Sequence, residues 1–98
     1  MPGGWVYIMT NKRDGTLYVG VTADLTRRVW QHGEGTGSRF ALKYNLARLV
    51  HVERHDDIIS AIQREKNIKG WPRSWKVALI ERENPEWNDL GPMIAHIL

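Results

Sequence analysis

Large, β-favouring side chains alternate with other residues from Trp5 to Thr10, and the same period of two returns from Thr16 to Val21. The intervening Asn11-Lys12-Arg13-Asp14-Gly15 is rich in turn formers, so the pair predicts a β-hairpin. Alternation assigns Val6, Ile8, Leu17 and Val19 to one sheet face and Tyr7 and Tyr18 to the other. With Thr10 facing Gly15 across the turn, Tyr7 lies directly opposite Tyr18; a slip of one residue would break this match.

The period then lengthens. Thr22 or Asp24 can cap a helix whose apolar positions Leu25 and Val29 share a face, and which runs to His32 before glycines interrupt it. Arg28 and His32 fall one turn apart, at the edge of the buried stripe. Gly33 to Ser38 reads as a flexible loop, and no Gly-Lys-Ser/Thr ending makes it a phosphate-cradling loop. Arg39 to Leu46 is indeterminate between loop and a short helix ending near Asn45. Arg48 to Glu53 predicts a third strand.

Asp56-Asp57 then opens a helix with Ile58, Ala61, Ile62 and Ile68 on one face and Gly70 as its C-cap. Position 65 belongs to that face, yet it is a glutamate. A carboxylate there needs a partner or a cation, so it either pairs with Arg64 or Lys69 at the rim or is kept for a metal. After the break at Trp71-Pro72, a helix from about Ser74 to Glu81 has Trp75, Ala78 and Leu79 as its inner face. Asn84-Pro85-Glu86-Trp87 ends it, and Met93 to Leu98 is a helical-looking tail.

The order of elements predicts a small α/β domain with a three-stranded antiparallel sheet flanked by helices. Its 98 residues suit a single domain, burying about two-thirds of its unfolded surface. The core spans about residues 4–90 and leaves 91–98 unassigned. No stretch nears the roughly 18 apolar residues of a membrane span, and Met1-Pro2-Gly3-Gly4 lacks a secretory layout, so the expected address is cytoplasmic, away from membranes. With no cysteine, disulfides and thiolate metal sites are excluded, and the four histidines are too dispersed for a cage. A charge of +3 and a pI of about 9.5 are compatible with a nucleic-acid partner. The five tryptophans can stack bases or close a small core.

Tyr7, Tyr18, Arg28 and Glu65 are polar residues where packing alone would not ask for them. Phosphodiester hydrolysis needs such a set: a base for water, a cation on the phosphate oxygens and an anchor for a divalent metal. A lone glutamate suits Mg²⁺, which keeps most of its waters and takes oxygen from substrate phosphate. The competing reading is a cross-strand tyrosine pair and an Arg28–Glu65 salt bridge, with no chemistry.

In order and spacing the chain resembles a small stand-alone member of the GIY-YIG nuclease superfamily, similar to the N-terminal domain of excision nucleases. Val6-Tyr7 stands where the first motif ends, and Tyr18-Val19-Gly20 is similar to the second. Thr22 to Leu25, Arg28 and His32 resemble the helix that follows. Arg64-Glu65-Lys66, with Ile68-Lys69 and Trp71, looks like the metal-glutamate helix, and Asn84-Pro85 like the last motif. Trp5 replaces the leading glycine of the first motif, Val21 stands where some relatives carry lysine, and Asn84 matches by context rather than strict spacing.

The resemblance implies an endonuclease using a single Mg²⁺ or Mn²⁺ to cut DNA by water attack, leaving 5′-phosphate and 3′-hydroxyl ends, in DNA repair or processing. By position, Glu65 would hold the metal, Arg28 would stabilise phosphate charge, and Tyr18 would deprotonate or orient the water with Tyr7 in support. His32 would stand near the scissile phosphate, and Asn84 would shape the site from its far end. Arg27, Arg39, Lys43, Lys69 and Arg73 are the candidate DNA contacts, each also readable as a solvated charge. RNA stays open as a substrate, a protein partner is the expected source of targeting, and the alternative function is an inactive nucleic-acid-binding module.

Overall fold

The computed structural model describes residues 3–33 and 46–97, except the side chains of residues 32, 33 and 95–97. The elements are β1 (Gly4–Thr10), β2 (Leu17–Thr22), α1 (Leu25–Gly33), β3 (Arg48–His55), α2 (Ile58–Lys69), α3 (Arg73–Glu83) and α4 (Gly91–Ile97). The strands form one antiparallel sheet in the order β2-β1-β3. The central strand β1 is buried from Val6 to Thr10.

Alternation along the strands builds a core on each face of the sheet. On one side Val6, Ile8, Val19 and Val50 pack with Ala61 and Ile68 of α2, Leu79 and Ile80 of α3, and Trp87. On the other, Tyr7, Met9 and Leu49 pack with Leu25 of α1, Leu46 and Ile94 of α4, with Tyr18 at the margin. The expected division of faces therefore holds, and the fold is the expected α/β domain.

The hairpin register differs from the expected one. Thr10 pairs with Leu17, Met9 with Tyr18 and Tyr7 with Gly20, because residues 11–16 form a loop with hydrogen bonds of its own. Thr10 Oγ1 donates to the Lys12 carbonyl at 2.9 Å, the Thr16 amide donates to Asn11 Oδ1 at 3.1 Å, and Asp14 adopts a φ of 60°. Asp tolerates that left-handed conformation better than most residues. The offset is two residues, so Tyr18 stays on Tyr7's face, as a diagonal neighbour.

Two helix faces are also rotated from expectation. On α2, Ala61 and Ile68 are buried, but Ile62 is exposed. On α3 the inward residues are Leu79 and Ile80, while Trp75 is 57% exposed and Ala78 also faces solvent. Trp87 occupies the space instead: it is fully buried, with a φ of 56° and its indole N–H donating to Glu81 Oε2 at 2.8 Å. The tail forms α4, tied to β3 by Asp89 Oδ1, which accepts from the amides of Leu49 at 3.0 Å and Gly91 at 2.9 Å. The segment 34–45, with Arg39 and Lys43, lies outside the described residues.

Candidate active site

The site is built from β1, β2 and the first turns of α1. Tyr7 is 1% exposed. Its ring lies over Gly20, where an added Cβ would sit 2.4 Å from Tyr7 Cζ and Oη. Only a residue without a side chain permits this approach at the cross-strand position. Tyr18 is half-buried beside it, with ring centroids 6.3 Å apart and planes tilted by 41°.

Arg28 arrives on α1, whose start is fixed by Asp24. The Arg27 amide donates to Asp24 Oδ1 at 3.1 Å, satisfying one of the amides a helix N-terminus leaves open. The half-buried Arg28 acts electrostatically on Tyr7. Burial pushes the Tyr7 phenol well above the ordinary tyrosine range and Tyr18 reinforces the rise, while the Arg28 guanidinium opposes it. Tyr7 is therefore a neutral group near neutral pH, able to donate or accept a hydrogen bond but not to take a proton as a phenolate. Arg28 also lines an open cavity of about 360 Å³ with Thr22, Asp24, Arg27 and Gln31.

Tyr7, Tyr18 and Arg28 are thus direct neighbours. Glu65 comes from α2, the helix that covers the opposite sheet face; its side chain is 14% exposed and pairs with Lys69 Nζ at 3.4 Å. Neither Arg64 nor Arg28 is its ion-pair partner: Arg64 binds Glu53 and Arg28 neighbours Tyr7. Among the described residues no three His, Asp or Glu side chains are grouped to hold a metal. The donor set fits an ion that asks for one carboxylate and fills its remaining positions with water and phosphate oxygen.

The other expected site residues have varied surroundings. His32 falls within α1, its side chain outside the described set. Asn84 is buried at the end of α3: its Nδ2 donates to the carbonyls of Val50 at 3.1 Å and Asn88 at 2.9 Å, and its Oδ1 accepts from the Asn88 amide at 3.0 Å. Arg27 is exposed and lines the cavity beside Arg28. Arg73 donates to the carbonyls of Asp14 and Gly15 at 2.8 and 2.7 Å, fastening the hairpin loop to α3.

Sequence reasoning missed a cluster on β3. Glu53 accepts two hydrogen bonds from Arg64, both 3.0 Å, and is flanked by His51 Nε2 at 2.9 Å and His55 Nε2 at 3.2 Å. Burial alone would raise its pKa, but hydrogen bonds with His51, Arg64 and His55 outweigh that and hold it well below the usual carboxylate range. The signal was His51, Glu53 and His55 at period two, which places all three on one face.

Known proteins resemble the chain in sequence and fold. A model of the GIY-YIG catalytic domain matches residues 3–78. A UPF0213 protein of Natronomonas pharaonis is 38% identical over 79 residues, spanning 81% of this chain and 92% of its own. One from Syntrophus aciditrophicus is 34% identical over 88% of this chain and 98% of its own. The solution NMR structure of a UPF0213 protein from Bacillus halodurans superposes with a TM-score of 0.56 at 26% identity, covering 89% of this chain and 92% of that one. The chain belongs to the GIY-YIG family of the nuclease superfamily, as a small protein akin to the UPF0213 members.

Proposed function

We propose that this protein is a metal-dependent endonuclease that hydrolyses DNA phosphodiester bonds to 5′-phosphate and 3′-hydroxyl ends, in DNA repair or processing. The observation that carries this reading is the trio of Tyr7, Tyr18 and Arg28 in a chain of the GIY-YIG family. Arg28 lies beside an open cavity where a phosphate oxygen would meet a fixed positive charge. Tyr7, kept neutral by burial, orients its partners; the more accessible Tyr18 takes the proton of the attacking water. As water bonds to phosphorus, the bond to the 3′ oxygen breaks, and that oxygen leaves as the 3′-hydroxyl after taking a proton from solvent.

Glu65 would hold the ion, exchanging its pairing with Lys69 for the metal. When bound, Mg²⁺ or Mn²⁺ supplies charge to the phosphate oxygens and favours the deprotonated form of nearby groups. His32 would stand near the phosphate, Asn84 would act through the backbone it fixes, and Arg27 would contact the DNA backbone. The Glu65–Lys69 pair favours one alternative, a module that binds nucleic acid without cutting it.

A panel of plasmid, branched, flapped and single-stranded substrates separates the two. The enzyme reading expects cleavage with Mg²⁺ or Mn²⁺ that EDTA abolishes, strongest on branched or nicked DNA. Salt-sensitive binding without product, unchanged by EDTA, would indicate the module.

A further inference from the structure

A second cavity borders α3. Trp75, Ala78, Leu79 and Arg82 recur at helical spacing and, with Arg64 and Trp71, line an open cavity of about 450 Å³. This volume falls within the range of small-molecule pockets. The two indoles meet edge to face with centroids 5.9 Å apart, and the Arg64 guanidinium covers the Trp71 ring at 5.0 Å. Arg64 is locked there by its paired hydrogen bonds to Glu53. Trp71 is thereby fixed in place, while Trp75 stays 57% exposed.

We propose that this cavity binds a nucleotide of single-stranded DNA, its base stacked on Trp75 and its phosphate beside Arg82. Three observations favour that occupant. A pair of indoles offers a π-surface that any base can use, which suits a ligand recognised without sequence preference. Arg82 is exposed and makes no hydrogen bond or ion pair with another described residue, so its charge is available to an anion. None of the six lining residues is acidic, so the lining itself does not repel a phosphate.

The cavity lies on the α2/α3 side of the sheet, and the tyrosines lie on the α1/α4 side. A strand held here is consequently gripped away from Tyr18 and Arg28. That arrangement suits a substrate with an unpaired arm, such as a flap or fork. The choice of DNA over another anionic ligand rests on the proposed nuclease reading; the stacking geometry does not.

The test is a titration of the full-length ¹⁵N-labelled protein with the oligothymidylate dT8 in EDTA, following the tryptophan indole N–H resonances. An octaglutamate peptide is run in parallel. The Trp71 and Trp75 signals are expected to shift and saturate with dT8 and to stay put with the peptide. Trp75→Ala should weaken dT8 binding about tenfold, while Trp75→Phe keeps most of it. Arg82→Ala should weaken binding and flatten its salt dependence. All three substitutions are at exposed positions, so the fold is retained. Silent Trp75 signals at saturating dT8, equal shifts with octaglutamate, or unchanged affinity in Trp75→Ala would each overturn the proposal. A protein that binds dT8 here but cuts no substrate would refute the nuclease reading and leave this site standing. One that cuts DNA without a Trp75 response would do the reverse.

Discussion

At the residue scale, the proposed function gives Tyr7 and Tyr18 different jobs although they are the same amino acid. Burial holds the Tyr7 proton in place, so of the two phenols Tyr18 is assigned the role of base. Tyr18→Phe should lower cleavage by about 10²-fold or more. Tyr7→Phe should lower the rate less; initial rates of the two variants decide it. Gly20 makes the arrangement sterically feasible. In Gly20→Ala the new methyl would stand 2.4 Å from Tyr7 Cζ and Oη, so the ring must leave or the strands part. Such overpacking costs about 1–3 kcal/mol, and thermal unfolding alongside a cleavage assay should show both stability and activity falling.

At the scale of elements, β3 is joined to α2 by Glu53 and to the end of α3 by Asn84. Glu53 ionises more readily folded than unfolded, where its ordinary value is 4.5. It therefore stabilises the fold above about pH 4.5, and that contribution is lost as pH falls toward the depressed folded value. Glu53→Gln, which strands Arg64, should cost about 2 kcal/mol at pH 7 and less at pH 3; urea unfolding at the two pH values measures the difference. Asn84→Ala leaves the Val50 carbonyl and the Asn88 amide without their side-chain partner and should cost about 2 kcal/mol. Both interactions show where the sequence stops being informative. The alternation in β1 and β2 and the Asp57 cap of α2 are local: the first foretold the strands and their faces, the second where α2 starts. The hairpin register was not legible, because it depends on how Asn11 and Asp14 fold the loop. The inner face of α3 was not legible either, since it depends on Trp87, a distant residue with a positive φ that claims the space Trp75 was expected to fill. The tyrosine faces were legible; the closeness of Arg28 depends on how α1 docks beneath the sheet.

At the scale of the whole molecule, a single sheet carries two surfaces with distinct chemistry. One presents the phenols and Arg28 beside an open cavity; the other presents indoles and Arg82. No helix among the described residues is long and apolar enough to cross a membrane, and the net charge of +3 suits an anionic polymer. In the proposed function Tyr18 and Arg28, on the Tyr7 side of the sheet, and Glu65, from the helix packed on the other side, act as one hydrolytic unit. Its most direct test is the initial rate of DNA cleavage in Mn²⁺ by the parent protein and by Tyr18→Phe, Arg28→Ala and Glu65→Gln, each verified as folded. Each substitution is expected to lower the rate about 10²-fold or more, and combining two should lower it little further. Cleavage by Glu65→Gln or Tyr18→Phe at the parent's rate would show that the three do not act together.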